Sequence, residues 1–84
     1  MYEDHILSIL GDAQRPLSIA EVREALMREL GTNVSYETTK RDLLTLYARG
    51  LIRSKSVGRG KRVTWVFWSL ERGAAQSLGS RQAS

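Results

Sequence analysis

The chain has 84 residues, a net charge of +4 at pH 7 and no cysteine. This length provides enough apolar side chains for one core, so we expect a single domain. Without cysteine there is no disulfide and no thiolate nucleophile or metal ligand, which suits a reducing cytoplasm. No apolar run is long enough to cross a membrane, and acids stand near the start, where a signal peptide carries bases. We therefore expect a soluble, cytoplasmic protein.

The charge is distributed unevenly along the chain. Residues 1–34 hold six acids and three bases, a net charge of −3, whereas residues 35–84 hold ten bases and three acids, a net charge of +7. A segregated basic surface can neutralise a phosphate backbone, but it can also serve solubility or attraction to an anionic membrane surface. The charge alone leaves these alternatives open.

Helical spacing of apolar residues predicts a first helix over residues 2–10, which Gly11 and Asp12 end. Pro16 then favours an extended turn, because the residue before a proline is driven away from helical angles. A strand of one or two residues is predicted at Leu17.

Two further helices follow. Ser18 and Glu21 have the spacing of a capping box, so a second helix should begin there and stop at Gly31. A third helix is predicted over residues 36–49, capped by Ser35 and closed by a glycine. Its predicted core side consists of Thr39, Leu43, Leu46 and Tyr47, with Tyr36 near the same edge. Its opposite side consists of Glu37, Thr38, Arg41, Thr45 and Ala48, with Lys40 and Leu44 on a flank.

From Leu51 the pattern alternates, which is typical of strands. Residues 51–57 and 62–70 read as two strands, joined by a glycine- and cation-bearing link at residues 58–61. Residues 71–84 are predicted to form a flexible tail or at most a weak helix, which leaves residues 1–70 as the domain.

Both faces of the last strand are apolar. Val63, Trp65 and Phe67 fall on one face, and Val66 and Trp68 fall on the other. A monomeric hairpin needs only one buried face. We therefore expect Val66 and Trp68 to pack against the first helix, the tail or a second subunit.

The sequence offers little for catalysis or metal binding. His5 is the single histidine, and one histidine without cysteine cannot assemble the usual nitrogen and sulfur metal site. Gly58 and Gly60 lie between two strands, so no helix N-terminus follows them to hold a phosphate. We expect no enzymatic activity, no metal and no cofactor, with His5 facing solvent.

The order helix, short strand, helix, tight link, helix, hairpin resembles the winged helix-turn-helix superfamily of bacterial and archaeal transcriptional regulators. The residues that carry the resemblance are VSYETTKRDLLTLYARGLI at 34–52, and the whole match covers roughly residues 5–70. The form is similar to the MarR-like and BlaI-like groups. The resemblance implies an α+β fold of three helices and a C-terminal two-stranded wing. It also implies that helix 36–49 enters the major groove of double-stranded DNA and that wing 58–62 lies along the backbone or minor groove.

The chemistry of the residues supports DNA binding independently. The helix N-terminus at Ser35 exposes amides that can hold a phosphate, and Arg41 can present its planar fork to guanine. Tyr36 fits either a phosphate contact or the core. The wing cations form a second contact set, unless they are merely solvated, and they should lie on the same side as Lys40 and Arg41 of the third helix. The strand cations before them should extend this positive face. The candidate DNA-binding residues are Ser35, Tyr36, Thr38, Lys40, Arg41, Arg53, Lys55, Arg59, Lys61 and Arg62.

Two acids on the third helix fit this interpretation less well. Glu37 and Asp42 would repel phosphate unless they read a base amine, pair with a cation or point away. The predicted function is a sequence-specific transcriptional regulator, acting as a monomer or a homodimer, with no small-molecule ligand evident. The alternative is a winged-helix module that docks on another protein in a replication or transcription assembly, which the apolar last strand favours.

Overall fold

The computed structural model describes residues 1–70, which form three helices and a three-stranded antiparallel sheet. In chain order the elements are α1 (Glu3–Asp12), β1 (Leu17–Ser18), α2 (Ile19–Leu30), α3 (Tyr36–Ala48), β2 (Ile52–Arg59) and β3 (Arg62–Ser69). The predicted α+β architecture, with a short first strand and a C-terminal hairpin, is confirmed. The predicted tail at residues 71–84 lies outside the described residues. Within the described part, no helix combines the length and apolar character needed to cross a membrane.

Helix α1 continues to Asp12, so the predicted end near residue 10 is wrong. A glycine stops a helix when it turns left-handed, and Gly11 is not among the glycines with positive φ. The helix ends instead where Ala13 becomes extended, while its N–H still donates to the carbonyl oxygen of Ile9 at 3.1 Å.

The predicted capping box begins α2. The Glu21 N–H donates to Ser18 Oγ at 3.2 Å, and the Ser18 N–H donates to Glu21 Oε1 at 2.8 Å. Arg15 also donates to the Glu21 carboxylate, at 2.6 Å. The hydrogen bonds of Glu21 lower its pKa to about 2, and the bond from Arg15 has the largest effect. At its other end α2 stops as predicted, with Gly31 left-handed at φ 67°.

The link between α2 and α3 is fixed by one side chain. Arg23 Nε donates to the carbonyl oxygen of Val34 at 2.7 Å, and the Val34 side chain is buried. The next residue, Ser35, caps α3, which ends at Ala48, one residue earlier than predicted.

The core lies between the three helices and one face of the sheet. Its buried apolar residues are Ile6, Leu10, Val22, Leu26, Val34, Leu43, Leu46, Ile52 and Phe67. Helices α1 and α2 thereby pack against β3, the central strand of the order β1-β3-β2, and α3 packs against β2. This arrangement leaves the far end of the β2–β3 hairpin outside the core.

The register of β3 defines two sheet faces. Directly paired residues share a face, and Phe67 pairs with Leu17 of β1 and Ser54 of β2. We call the face containing Phe67 the inner face and the opposite one the outer face. Val63 and Trp65 share the inner face as predicted, but Trp65 is 53% exposed because the hairpin runs beyond the core.

The outer face of β3 carries Val66 and Trp68, both half-buried. Neither belongs to the apolar residues packed against the core. Their expected packing against α1, the tail or a second subunit stays a prediction.

The hairpin turn is tighter than predicted. Pairing continues to Arg59 and Arg62, so the loop is the two residues Gly60 and Lys61 rather than residues 58–61. Gly60 has φ 59° and Lys61 does not have positive φ, the signs of a type II′ turn. Gly58 has φ 117°, and a Cβ there would lie 1.9 Å from the carbonyl oxygen of Arg62.

Asp42 is a buried acid on α3, 4% exposed. Its Oδ2 accepts from the Tyr2 N–H at 2.8 Å, and its Oδ1 accepts from the Met1 ammonium at 3.1 Å. Tyr2 is the N-cap of α1 and has no side-chain cap bond of its own. Asp42 therefore supplies from α3 the acceptor that Glu21 supplies within α2.

Replacing Asp42 with alanine should lower the free energy of unfolding by about 1–3 kcal/mol, because the Tyr2 amide loses its acceptor. Urea denaturation measures the change. Glu24→Ala, which removes an exposed acid from α2, is the matched control and should stay within about 0.5 kcal/mol. Equal effects of the two variants would contradict the assigned role of Asp42.

Glu21→Gln should destabilise the fold near neutral pH but not at low pH. The pKa of Glu21 falls from 4.5 to about 2 on folding, so its charge stabilises the fold above pH 4.5 and this contribution disappears towards pH 2. The side chain is 37% exposed, so solvent screening limits the difference to less than about 1 kcal/mol. The unfolding midpoints of the wild type and of Glu21→Gln should converge as the pH falls from 7 to 2, and a difference that stays constant would contradict the assigned role of Glu21.

Gly58→Ala should cost more stability than Gly60→Ala. Both glycines have positive φ, which costs about 1 kcal/mol or more for alanine, but only a Cβ at Gly58 meets backbone. Thermal unfolding gives the ranking, and faster amide exchange at Val57 and Val63 would localise the damage to the hairpin. Equal losses of stability in the two variants would show that the backbone around Gly58 can move away from the added Cβ at no cost.

Candidate nucleic-acid interface

Helix α3 presents three stripes of side chains, spaced by its 3.6-residue turn. The first stripe faces the core and contains Thr39, Asp42, Leu43 and Leu46, all buried. Tyr47, predicted to join it, is 49% exposed. The prediction fails because the polar Asp42 occupies the buried position, which rotates the core stripe away from Tyr47.

The second stripe faces outward. It borders a shallow depression of about 460 Å³, which is lined by Glu37, Lys40, Arg41, Leu44, Thr45 and Ala48. Arg41 is exposed and extends beyond the short side chains of Thr45 and Ala48. A helix with short side chains around one long cation can approach a concave polar partner closely.

The third stripe faces the wing and contains Tyr36, Lys40, Leu44 and Tyr47, all exposed. The alternative that Tyr36 belongs to the core is therefore excluded. Opposite this stripe stand Val63 and Trp65 on the inner face of β3. Together they enclose what we call the helix–wing groove, whose lining residues are Ser18, Ile19, Ala20, Tyr36, Lys40, Leu44, Tyr47, Ser54, Val63, Thr64, Trp65 and Phe67.

The hydroxyls at the start of α3 bond to each other as well as to the backbone. Ser35 Oγ accepts from the Thr38 N–H at 3.0 Å and donates to Thr38 Oγ1 at 2.9 Å. Ser35 is exposed and Thr38 half-buried. These bonds cap α3, and both hydroxyl oxygens can still accept a further hydrogen bond.

The strand cations share a face with one another. The register places Arg53, Lys55, Arg59 and Arg62 on the outer face, opposite to Trp65, and Lys61 in the turn between the strands. All five are exposed. Arg53 and Lys55 extend the face of Arg59 and Arg62 as predicted, but this face is opposite to the one that packs against the helices, so the predicted common side with Lys40 and Arg41 is not formed. They do not line the helix–wing groove, so α3 and the wing carry two separate groups of cations.

The two acids on α3 lie in different environments. Asp42 is turned inward and is bonded to the N-terminal residues. Glu37 is exposed on the outward stripe beside Arg41. Only Glu37 therefore places a carboxylate on the outward surface of α3.

Elsewhere, His5 is exposed as expected and its Nδ1 lies 3.1 Å from Glu29 Oε1. Within residues 1–70, no group of three or more His, Asp or Glu side chains could hold a metal ion.

Sequence reasoning missed the apolar half of the helix–wing groove. Leu44 was assigned to neither side of α3, Tyr47 to the core, and Val63 and Trp65 to a packed strand face. The spacing of Tyr36, Lys40, Leu44 and Tyr47 is a helical stripe, which could have indicated a separate face. Its partner on β3 depends on how far the hairpin extends beyond the core.

The chain is similar to several solved structures, three of which follow. The Bacillus subtilis PadR protein, solved in complex with operator DNA, aligns with a TM-score of 0.69 and 20% identity over 98% of this chain. TA0346 of Thermoplasma acidophilum, a candidate transcriptional regulator, gives 0.68 and 23% over 96% of this chain and 81% of its own. A HOP2 structure concerned with DNA recognition and homologous DNA pairing gives 0.65 and 23% over 82% of this chain and 98% of its own. This chain spans 47% of the PadR chain.

No family sequence model matches the chain, and no curated protein sequence matches it. The finer likeness to the MarR-like and BlaI-like groups stays a prediction. At these identities the similarity concerns the backbone, and it agrees with the element order and sheet topology described above. The chain therefore has the winged-helix fold.

Proposed function

We propose that this protein binds double-stranded DNA and regulates transcription, with α3 in the major groove. The observation that carries the proposal is the outward stripe of α3, where Arg41 stands exposed above Thr45 and Ala48. The major groove is about 12 Å wide and admits a helix, and arginine can contact guanine O6 and N7 together. Lys40 lines the same surface and would assist. Thr38 is half-buried and lies three residues before Arg41, at the edge of this surface.

Phosphate contacts in this proposal come from both ends of the interface. At one end, Ser35 and Tyr36 begin α3, where unpaired amides favour an anion. At the other end, Lys61 occupies the hairpin turn between Arg59 and Arg62, on the backbone or minor groove. Arg53 and Lys55 lie further back on the outer face and add long-range attraction for the polyanion.

The similar structures support this function. PadR was solved with operator DNA, and the HOP2 structure addresses DNA recognition. Acting as a regulator, the protein would read sequence through α3 and set its register through phosphate contacts. A homodimer would bind two half-sites about one helical turn apart.

Arg41→Ala and Lys61→Ala should weaken DNA binding in different ways. Loss of Arg41 removes a base contact, so affinity for a selected site should fall by about 1–3 kcal/mol and fall less for random duplex. Loss of Lys61 should weaken both alike and reduce the slope of log affinity against log salt by about one. Fluorescence anisotropy at several salt concentrations measures both effects.

Arg28→Ala is the matched control, because Arg28 is an exposed arginine on α2 in the acidic half of the chain. It should leave site affinity and salt slope nearly unchanged. If wild-type protein shows no salt-dependent binding to any duplex, DNA binding is the wrong function.

The outer face of β3 favours a second candidate, a docking module for another protein. Val66 and Trp68 are half-buried there and lie outside the core. A complex that survives nuclease treatment and is lost in Trp68→Ala, together with absent duplex binding, would favour this function over the first.

A further inference from the structure

We propose that the helix–wing groove binds an unpaired DNA base, so that the protein prefers duplex DNA containing an extruded or single-stranded nucleotide. The inference rests on the proposed function, because it places the base beside DNA that α3 contacts. It adds a second kind of recognition, by stacking, to the reading of base edges.

The first argument is the exposure of aromatic rings in the groove. Trp65, Tyr36 and Tyr47 are each about half exposed, which is unusual for rings that could have joined a core. Bases within an intact duplex are already stacked on their neighbours and offer only their edges to a protein. An unpaired base has a free face, and aromatic side chains bind such faces with little dependence on sequence.

The second argument is the shape and lining of the more apolar part of the groove, between α3 and the sheet. This part has a volume of about 340 Å³, with Ile19, Leu44 and Phe67 among its lining residues. Ser54 contributes a hydroxyl, and Lys40 contributes an ammonium. A flat apolar ring with polar edges fits this combination, because the walls cover its faces while the polar groups meet its edge or its phosphate.

The third argument is charge. Among the described residues that line the groove, Lys40 is the one charged side chain, and none is a carboxylate. The first turns of α2 and α3, which border the groove, carry Glu21 and Glu37, and neither acid lines it. The groove therefore presents one positive charge and no carboxylate, which suits the phosphate of a nucleotide.

The experiment uses the full chain and three DNAs of related sequence: a perfect duplex, the same duplex with one unpaired thymine, and single-stranded oligothymidine. The chain has two tryptophans, so Trp68→Phe leaves Trp65 as the sole indole. In that background, the unpaired thymine and oligothymidine should quench Trp65 fluorescence, and the perfect duplex should not.

Affinity provides the decisive measurement. Trp65→Ala should weaken binding to the bulged duplex and to oligothymidine roughly tenfold or more, and Trp65→Phe should restore part of the loss. Binding to the perfect duplex should change less than about twofold. Thermal unfolding checks that each variant is folded, and Tyr47→Ala, altering the opposite wall, replaces Trp65→Ala if the latter is not.

Equal weakening of perfect and bulged duplex would overturn the inference and leave the proposed function standing, because the groove would then contact ordinary duplex. Unchanged affinity for the bulged duplex in both Trp65→Ala and Tyr47→Ala would also overturn it. Failure of the proposed function looks different, because the wild-type protein would then bind none of the three DNAs in a salt-dependent manner.

Discussion

The bond between Asp42 and the start of α1 determines how α3 sits in the molecule. A carboxylate withdrawn from water is costly unless hydrogen bonds replace its hydration, and Asp42 obtains such a bond from the Tyr2 amide. Successive residues of a helix are separated by about 100°, so directing Asp42 inward turns Arg41 outward and Leu44 towards the wing. Asp42 thus sets the rotation of α3 about its own axis together with the buried Thr39, Leu43 and Leu46, and this rotation positions every candidate contact on that helix.

The elements were largely predictable because their signals are local. Ser18 and Glu21 mark the start of α2 within four residues, and Gly31 marks its end. The change from helical to alternating spacing marks the hairpin. The buried face of α3 was not predictable in the same way. Asp42 reads as a surface residue until its partner, forty positions away, is known. Pairing of the hairpin up to Arg59 likewise depends on cross-strand contacts that composition does not reveal.

The candidate site was likewise predictable from the sequence only in part. A concentration of cations after residue 34 is visible in the sequence, and the exposure of Arg41 and the wing cations agrees with it. Which cations share a face follows from strand register, a property of pairing. The helix–wing groove could not be predicted from charge and register alone. Trp65 becomes a wall of it only because β3 extends past the core, opposite α3.

The position of β2 in the sheet has a bearing on solubility. In the order β1-β3-β2 it is an edge strand, and along one side it pairs with no other strand of residues 1–70. Arg53, Lys55 and Arg59 project from one face of it. Antiparallel pairing with the same strand of another copy would bring like charges opposite each other, which opposes pairing. The arginines and lysine on this edge therefore discourage open-ended sheet growth, a protective effect that is independent of any contact with nucleic acid.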